Sequence, residues 1–260
     1  LQNPLALDWG LVNGSPITPG GVTGSVTDNV VLGDADICRP RPMCGGNPRG
    51  GGIRVGNIKS GTITRNIVSK ALTAAVNNIA VQIDANMDDN NITGGPDVGI
   101  NNLSITDNIV YEWQNPVWFL AGAYRNVEVL RNTLSNGGVG GLMFSTYADS
   151  ALSGTVFREN RYWTSASTNN WFKQAAGNRS FTQWVESSGE IGASTGAPVF
   201  PDPDRNIATY MAFLGHPPAE QTVEAFLERA RANSRLLWDD RYTASAVNNY
   251  IRQGFGLGQL

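Results

Sequence analysis

The stretch GTITRNIVSK, residues 61–70, alternates like a β-strand but carries an asparagine in its middle. A near copy, LSITDNIV, occupies residues 103–110. Both fit the frame apolar-x-x-Asn-x-apolar, which occurs five times with its asparagines 37, 42, 24 and 28 residues apart. The asparagines of this frame are Asn29, Asn66, Asn108, Asn132 and Asn160. Recurrence at this spacing indicates a solenoid, in which each repeat is one coil.

A second apolar segment lies after each asparagine frame. These segments are GIRV (52–55), AVQI (80–83), VWFL (117–120), LMF (142–144) and WFK (171–173). The alternation predicts coils of two short strands and two turns. Because stacked coils lie about 4.8 Å apart, equivalent asparagines would bond one another through their amides. Asn also tolerates the left-handed backbone of a sharp corner.

The coil pattern resembles the right-handed parallel β-helix proteins of the pectate-lyase-like superfamily, over roughly residues 20–190. The resemblance implies an all-β fold, a right-handed parallel β-helix with a C-terminal helical appendix. The expected domains are parallel β-helix coils in 1–200 and an α-helical capping segment in 201–260. A β-sandwich is the main alternative, but its strands would recur every 8–12 residues with hairpin signals between them.

The C-terminal segment changes to helical periodicity. Three helices are expected, over about 204–214, 220–232 and 243–253. Asp204 is the expected N-cap of the first, and Gly215 and Gly254 are expected stop signals. We expect these helices to pack on the last coils or along the side of the stack, because the end of a solenoid needs a cap.

Two cysteines, Cys38 and Cys44, bracket a short segment with two prolines in CRPRPMC. A disulfide here predicts an oxidising compartment, so the protein is expected to be secreted, extracellular or periplasmic. The net charge of −3 argues against a nucleic-acid partner. The sequence contains no apolar run of 18 residues, so a membrane partner is not expected. Whether the protein forms a homo-oligomer or is part of a longer chain is left open by the sequence.

Two insertions lengthen the coils and are expected to form the walls of a groove. The first, residues 33–52, runs directly into GIRV, and the second, residues 84–102, leaves directly from AVQI. If the alternating apolar residues point inward, Arg54 and Gln82 point outward on the floor. Arg41 and Arg54 are predicted to bind acidic groups of a substrate, since guanidinium pairs with carboxylates and sulfates. A polysaccharide is therefore the expected partner.

The second insertion carries alternating oxygen ligands, Asp84, Asn86 and Asp88. They resemble the start of a calcium loop, although Asp89 and Gly95 replace the glycine and glutamate that an EF-hand needs. Calcium is thus one interpretation. Catalysis by Asp84 and Asp88 as acid and base is another, and a plain polar turn is a third.

His216 is the single histidine and lies in a predicted turn, so a Ser-His-Asp triad or a catalytic zinc site in the groove is not expected. Lys59 follows GIRV. In β-helix lyases, which the chain resembles, Lys or Arg takes the proton, which implies Lys59 as a base. Trp118, in a second strand, is predicted to stack on a sugar ring.

Three functions fit these observations. The first is a secreted lyase or glycoside hydrolase acting on an acidic polysaccharide. The second is a β-helix that binds glycans without cleaving them, and the third is a structural or assembly module. Groove carboxylates beside Arg or Lys favour the first, and exposed aromatic residues without such a pair favour the second.

Overall fold

The computed structural model describes residues 5–7, 11–12, 15–16, 22–33, 51–56, 58–69, 79–85, 99–120, 122–136, 142–146, 149–165 and 170–260. The chain divides into two compact units, Leu1–Pro198 and Val199–Leu260. Each unit is described by itself below.

The first unit is built from three sheets whose neighbouring strands are far apart in sequence. Sheet 1 consists, in spatial order, of β1 (Leu5–Leu7), β6 (Gly51–Gly56), β9 (Ile79–Asp84), β12 (Asn115–Phe119), β15 (Phe144–Thr146), β18 (Phe172–Gln174) and β19 (Gly177–Arg179). Sheet 2 consists of β4 (Val22–Thr27), β7 (Ile58–Thr64), β10 (Ile100–Thr106), β13 (Tyr124–Leu130) and β16 (Thr155–Arg158). Sheet 3 consists of β5 (Val30–Leu32), β8 (Ile67–Ser69), β11 (Ile109–Tyr111), β14 (Thr133–Asn136), β17 (Arg161–Thr164) and β20 (Ser194–Thr195).

All pairings within these sheets are parallel except the one between β18 and β19. A separate antiparallel pair joins β2 (Leu11–Val12) and β3 (Ser15–Pro16). Successive strands of one sheet come from successive coils, so the described part of the unit is a parallel β-solenoid. The hairpin pairing expected of a sandwich does not occur between 61–64 and 103–106, which pair in parallel.

Each complete coil has three strands, whereas the sequence pattern predicted two. The asparagine frame is not one strand. Its first half lies in sheet 2, its second half lies in sheet 3, and the asparagine marks the corner between them. The chain turns because the residue before each asparagine has a positive φ, at 54° for Arg65 and 58° for Asp107. The expectation that the asparagine itself takes the left-handed conformation was therefore wrong by one position.

The core fills the space between the sheets with stacked rows of side chains. One row of sheet 2 aligns the apolar centres of successive coils, which are Val26, Ile63, Ile105, Val129 and Phe157. Each of these side chains is at most 5% exposed. The row grows from Val and Ile to Phe toward the C-terminal coils, where the core becomes aromatic.

The predicted asparagine ladder is confirmed for all five residues. The backbone N and the side-chain Nδ2 of Asn66 both donate to Oδ1 of Asn108, at 3.0 and 2.9 Å. Asn108 makes the same pair of bonds to Asn132, and Asn132 makes them to Asn160. Each buried Nδ2 also donates to a main-chain carbonyl of the preceding coil, as Asn108 does to Ile63 O at 2.8 Å. The ladder thus satisfies polar groups that the corner turns into the core.

Glu190 ends the ladder. The backbone N and Nδ2 of Asn160 donate to its Oε1, at 3.3 and 2.7 Å. Its Oε2 accepts from the Tyr162 hydroxyl and from Trp184 Nε1, each at 2.9 Å. The carboxylate is 4% exposed and takes the place of a sixth amide oxygen. Four donors offset the cost of burying its charge.

Helix α2 (Phe181–Ser188) covers the aromatic end of the core. It begins with a capping box in which Ser180 and Gln183 exchange side-chain and backbone bonds. Trp184 stacks on Phe172 with ring centroids 4.7 Å apart and also packs against Phe144 and Phe157. The sequence pattern did not predict this helix. A shorter helix, α1 (Asp149–Ser153), precedes β16.

The second unit contains the three predicted helices. They are α3 (Ile207–Phe213), α4 (Val223–Ala232) and α5 (Ala244–Gly254), with 3₁₀ turns at Pro218–Glu220 and Asp240–Tyr242. The N-caps are Asn206, Thr222 and Thr243. The predicted N-cap of the first helix, Asp204, was therefore wrong by two residues. The helices bury Tyr210, Met211, Phe226, Val247 and Ile251.

His216 lies in the predicted turn but has specific partners. Its Nε2 is 2.7 Å from the Tyr242 hydroxyl, and its Nδ1 is 3.2 Å from Glu220 Oε2. Arg229 also pairs with Glu220. The side chains therefore tie the two 3₁₀ turns to α4. A capping role for this unit stays a prediction. Among the described residues, no helix is both long and apolar enough to cross a membrane.

Candidate functional site

One outward row of sheet 1 aligns a side chain from each of five coils. Parallel register places Arg54 beside Gln82, Gln82 beside Trp118, and continues to Ser145 and Lys173. We call these five residues the cationic row. Arg54, Gln82, Trp118 and Lys173 are partly exposed, whereas Ser145 is buried. The four coil spacings cover roughly 19 Å.

Strand alternation explains why this row faces outward. The residues on either side of Arg54, Ile53 and Val55, are at most 1% exposed. Val81 and Ile83 enclose Gln82 in the same way, as do Val117 and Phe119 around Trp118. The burial of every second side chain fixes the orientation of those between them. The predicted outward placement of Arg54 and Gln82 is consistent with this pattern.

Asp84 lies at one end of β9 and pairs with the neighbouring coil. Its Oδ2 is 3.3 Å from Arg54 Nη2, and the carboxylate side chain is 10% exposed against 32% for the guanidinium. Arg54 faces Gln82, and Gly56 faces Asp84, so the ion pair crosses diagonally between adjacent strands. A carboxylate and a guanidinium thus lie side by side at the edge of the cationic row.

The surroundings of Asp84 include the buried Tyr124. Its hydroxyl donates to Leu120 O at 2.6 Å and lies 3.2 Å from Ile83 O. Burial raises the pKa of the Tyr124 phenol, and the nearby Asp84 carboxylate adds to the rise. The phenol therefore stays protonated and acts as a hydrogen-bond donor that holds the main chain next to Asp84.

The strands next to the two insertions in the chain are described, whereas most residues of the insertions are not. The first runs into β6 and the second leaves from β9, and these strands are paired neighbours. Of the residues predicted on the insertions, Arg41, Asn86 and Asp88 lie outside the described residues, as do Cys38 and Cys44. Their predicted roles in substrate binding, calcium binding, acid–base chemistry and the disulfide stay predictions.

Lys59 is placed differently from the other predicted catalytic residues. It lies on β7 of sheet 2, with an exposed side chain, whereas Arg54 and Asp84 belong to sheet 1. A single residue, Asn57, separates β6 from β7 in the sequence. From the sequence, Lys59 was expected to follow the GIRV strand and to serve as a base for elimination. The chain instead passes to the next sheet at this point, because each coil has a third face.

Lys173 belongs to the cationic row but was not singled out from the sequence. The signal that would have identified it is the alternation itself. In each strand of sheet 1 the outward position of the row follows a buried apolar residue. In β18 this position is Lys173, which follows the buried Phe172. The row therefore carries one cation in its first coil and one in its last, with an indole between them.

The described site thus combines two cationic side chains, an indole and one carboxylate at its edge. Among the described residues, no group of three His, Cys, Asp or Glu side chains is arranged to hold a metal ion. Comparison of the chain with protein-family models, with curated proteins and with solved structures gave no match.

Proposed function

We propose that this protein binds an acidic polysaccharide along the cationic row of sheet 1. The observation that carries the proposal is the in-register alignment of Arg54, Trp118 and Lys173 on one face. Guanidinium and ammonium groups pair with uronate carboxylates or sulfates, and an indole stacks on the apolar face of a sugar ring. The coil spacing of about 4.8 Å is close to the length of one pyranose unit in an extended chain.

The binding test uses affinity electrophoresis of the purified protein in gels that contain polygalacturonate, alginate or a sulfated glycan. Arg54→Ala and Trp118→Ala should each weaken retention about tenfold, since each removes a charged or stacking contact. Arg158→Ala, an exposed arginine on sheet 2, is the matched control and should behave as the parent. Equal retention of all four proteins would rule out this surface.

Cleavage of the bound chain is the second candidate function, and the Asp84–Arg54 pair favours it. In this candidate function Asp84 transfers the proton, and its carboxylate lies 3.3 Å from Arg54, which would bind the carboxylate of the sugar. Asp88 remains the predicted partner carboxylate. Asp84→Asn keeps the size of the side chain and should lower any turnover at least about a hundredfold. If turnover is unchanged in a folded Asp84→Asn variant, Asp84 does not catalyse cleavage, and only the binding proposal is retained.

We further propose that the coils wind right-handed, as in the pectate-lyase-like proteins that the sequence resembles, and that the protein is secreted. Connections between parallel strands of one sheet are right-handed in about 98% of cases. The predicted Cys38–Cys44 disulfide supports an oxidising compartment. Thiol titration of the unfolded, unreduced protein should find no free thiol, and two free thiols would count against secretion through an oxidising route.

A further inference from the structure

The outward face of sheet 2 carries a regular strip of hydroxyl groups on its first three coils. One row holds Ser25, Thr62 and Ser104, and the next holds Thr27, Thr64 and Thr106. We call these six residues the hydroxyl strip. Their orientation follows from the buried Val26, Ile63 and Ile105 between the two rows. Thr64 and Thr106 are bonded through their hydroxyls at 2.9 Å, so the strip is an ordered polar surface without charge.

A groove of about 730 Å³ continues the strip toward the later coils. Its floor is formed by Ser104, Glu128 and Val156, which lie in one register row. Arg125 and Asn126 line its side. The volume is within the usual range for a small-ligand site, about 300–1,000 Å³. We call this feature the sheet 2 groove.

The wall of the groove is held in an uncommon backbone conformation. Asn102 and Asn126 occupy equivalent positions on adjacent coils, and both have left-handed φ values, 49° and 53°. Asn126 Nδ2 donates to Asn102 Oδ1 at 3.1 Å, and Asn102 Nδ2 donates to Lys59 O at 3.1 Å. The third position of this stack is Gly154, where an added Cβ would come within 2.0 Å of Tyr124 O. The stack of side chains therefore ends at a glycine beside the groove.

The charged groups of the groove are not paired with each other. Arg125 Nη1 donates to Asn101 Oδ1 at 3.2 Å, which uses one of its donors. Glu128 is exposed on the floor, and no ion pair involving it occurs among the described residues. The groove thus offers a guanidinium, a carboxylate, amides and hydroxyls with no net charge. Such a set matches a ligand with many hydroxyl groups that both donate and accept hydrogen bonds.

We propose that the sheet 2 groove and the hydroxyl strip bind a neutral glycan whose chain runs along the coils. The uncharged strip and the balanced groove distinguish this face from the cationic row, which suits an acidic chain. Glu128 and Arg125 bind vicinal sugar hydroxyls, and Val156, at 46% exposure, contacts the apolar face of a ring. The proposal does not depend on the function proposed for sheet 1, since the two surfaces lie on different sheets.

The test measures binding of the full chain to neutral oligosaccharides of glucose, xylose, mannose and galactose by titration calorimetry. Glu128→Ala and Arg125→Ala should each weaken the tightest of these interactions about tenfold, since each removes hydrogen bonds from a charged group. Asn126→Gly removes an amide but suits the positive φ, so it should weaken binding while the fold is retained. The charge-matched controls are Glu228→Ala and Arg231→Ala, at exposed positions on α4.

The absence of measurable binding to every neutral sugar in the set would overturn this inference. Binding that the three groove variants leave unchanged would overturn it as well, as would binding that falls equally in the two controls. Neutral-glycan binding that is lost in Arg54→Ala and kept in Glu128→Ala would assign the ligand to sheet 1 and would likewise reject the sheet 2 groove. The retention test with acidic polysaccharides is read separately, so failure of one proposal does not decide the other.

Discussion

At the scale of single residues, the asparagines of the ladder differ sharply in what surrounds them. Asn108 is 2% exposed and takes part in bonds to Asn66, Ile63 and Asn132. Asn29 begins the ladder, is only partly buried, and donates from Nδ2 to Thr27 O and Asn66 Oδ1. The same residue type therefore has a different energetic role in the middle of the ladder and at its end.

We predict that Asn108→Ala lowers the free energy of unfolding by about 3 kcal/mol or more, because it removes side-chain bonds and leaves buried groups unsatisfied. Asn29→Ala should cost about 1 kcal/mol, since water can reach the groups that it exposes. Urea unfolding followed by circular dichroism measures both values. Equal losses in the two variants would contradict a burial-dependent ladder.

The residue before each ladder asparagine belongs to a second row, whose members are exposed or partly exposed and alternate in charge. Its members are Asp28, Arg65, Asp107, Arg131 and Glu159, all with φ between 53° and 60°. Arg65 pairs with Asp28, and Arg131 pairs with Asp107 through two bonds at 2.8 and 2.9 Å. Each corner thus joins a strained backbone to a charge that faces the opposite charge of the next coil.

At Arg131 we predict that replacement by glycine gives a protein about 1 kcal/mol more stable than replacement by alanine, because a Cβ is unfavourable at positive φ. Both variants lose the ion pair with Asp107, so the comparison isolates the backbone term. Thermal unfolding of the two proteins measures the difference. An alanine variant as stable as the glycine variant would show that the corner relaxes.

At the scale of elements, α2 and the last coil form a closing unit for the aromatic core. Trp184 is fully buried, contacts three phenylalanines and donates to Glu190. The ladder and the aromatic core therefore end on the same helix–coil junction. Within the first unit, residues 181–190 cover the end of the aromatic core, and the capping role of 201–260 stays a prediction.

Removal of the indole tests this closing element. Trp184→Ala should lower the free energy of unfolding by about 4 kcal/mol, from lost transfer energy and the cavity that remains. Trp184→Phe keeps an aromatic ring but loses the bond to Glu190, and its loss should be smaller. Glu186→Ala, exposed on the same helix, is the control. A cost for Trp184→Ala no larger than that of the control would show that α2 does not stabilise the core.

At the scale of the whole molecule, buried phenols link stability to alkaline pH. Burial raises the pKa of Tyr162 well above its ordinary value, and the Glu190 carboxylate beside it adds to the rise. Tyr124 is shifted in the same direction. In the unfolded chain both phenols ionise near pH 10. Their contribution to stability is complete below that pH and is lost as the pH rises toward the folded-state pKa.

We therefore predict that the protein unfolds cooperatively above about pH 10, with part of the tyrosine ionisation occurring in the same transition. Ultraviolet absorbance of tyrosinate and far-ultraviolet circular dichroism, recorded on the same samples, measure the two events. Complete tyrosine ionisation while the circular dichroism remains native would contradict the burial of these phenols.

The sequence by itself determined the repeat, the positions of the ladder asparagines and the three C-terminal helices. Each of these leaves a local signal, because a corner needs a particular residue and a helix buries one face at a regular spacing. The outward positions of Arg54 and Gln82 followed from the same alternation.

Tertiary structure alone decided the third strand of each coil, the transfer of Lys59 to another face, and the end of the ladder at Glu190. It also assembled the sheet 2 groove from three coils, with Asn102 and Val156 separated by 54 positions of the chain. These features depend on which residues of different coils come into register. That register is set by loops of unequal length between the corners, and no local pattern records it.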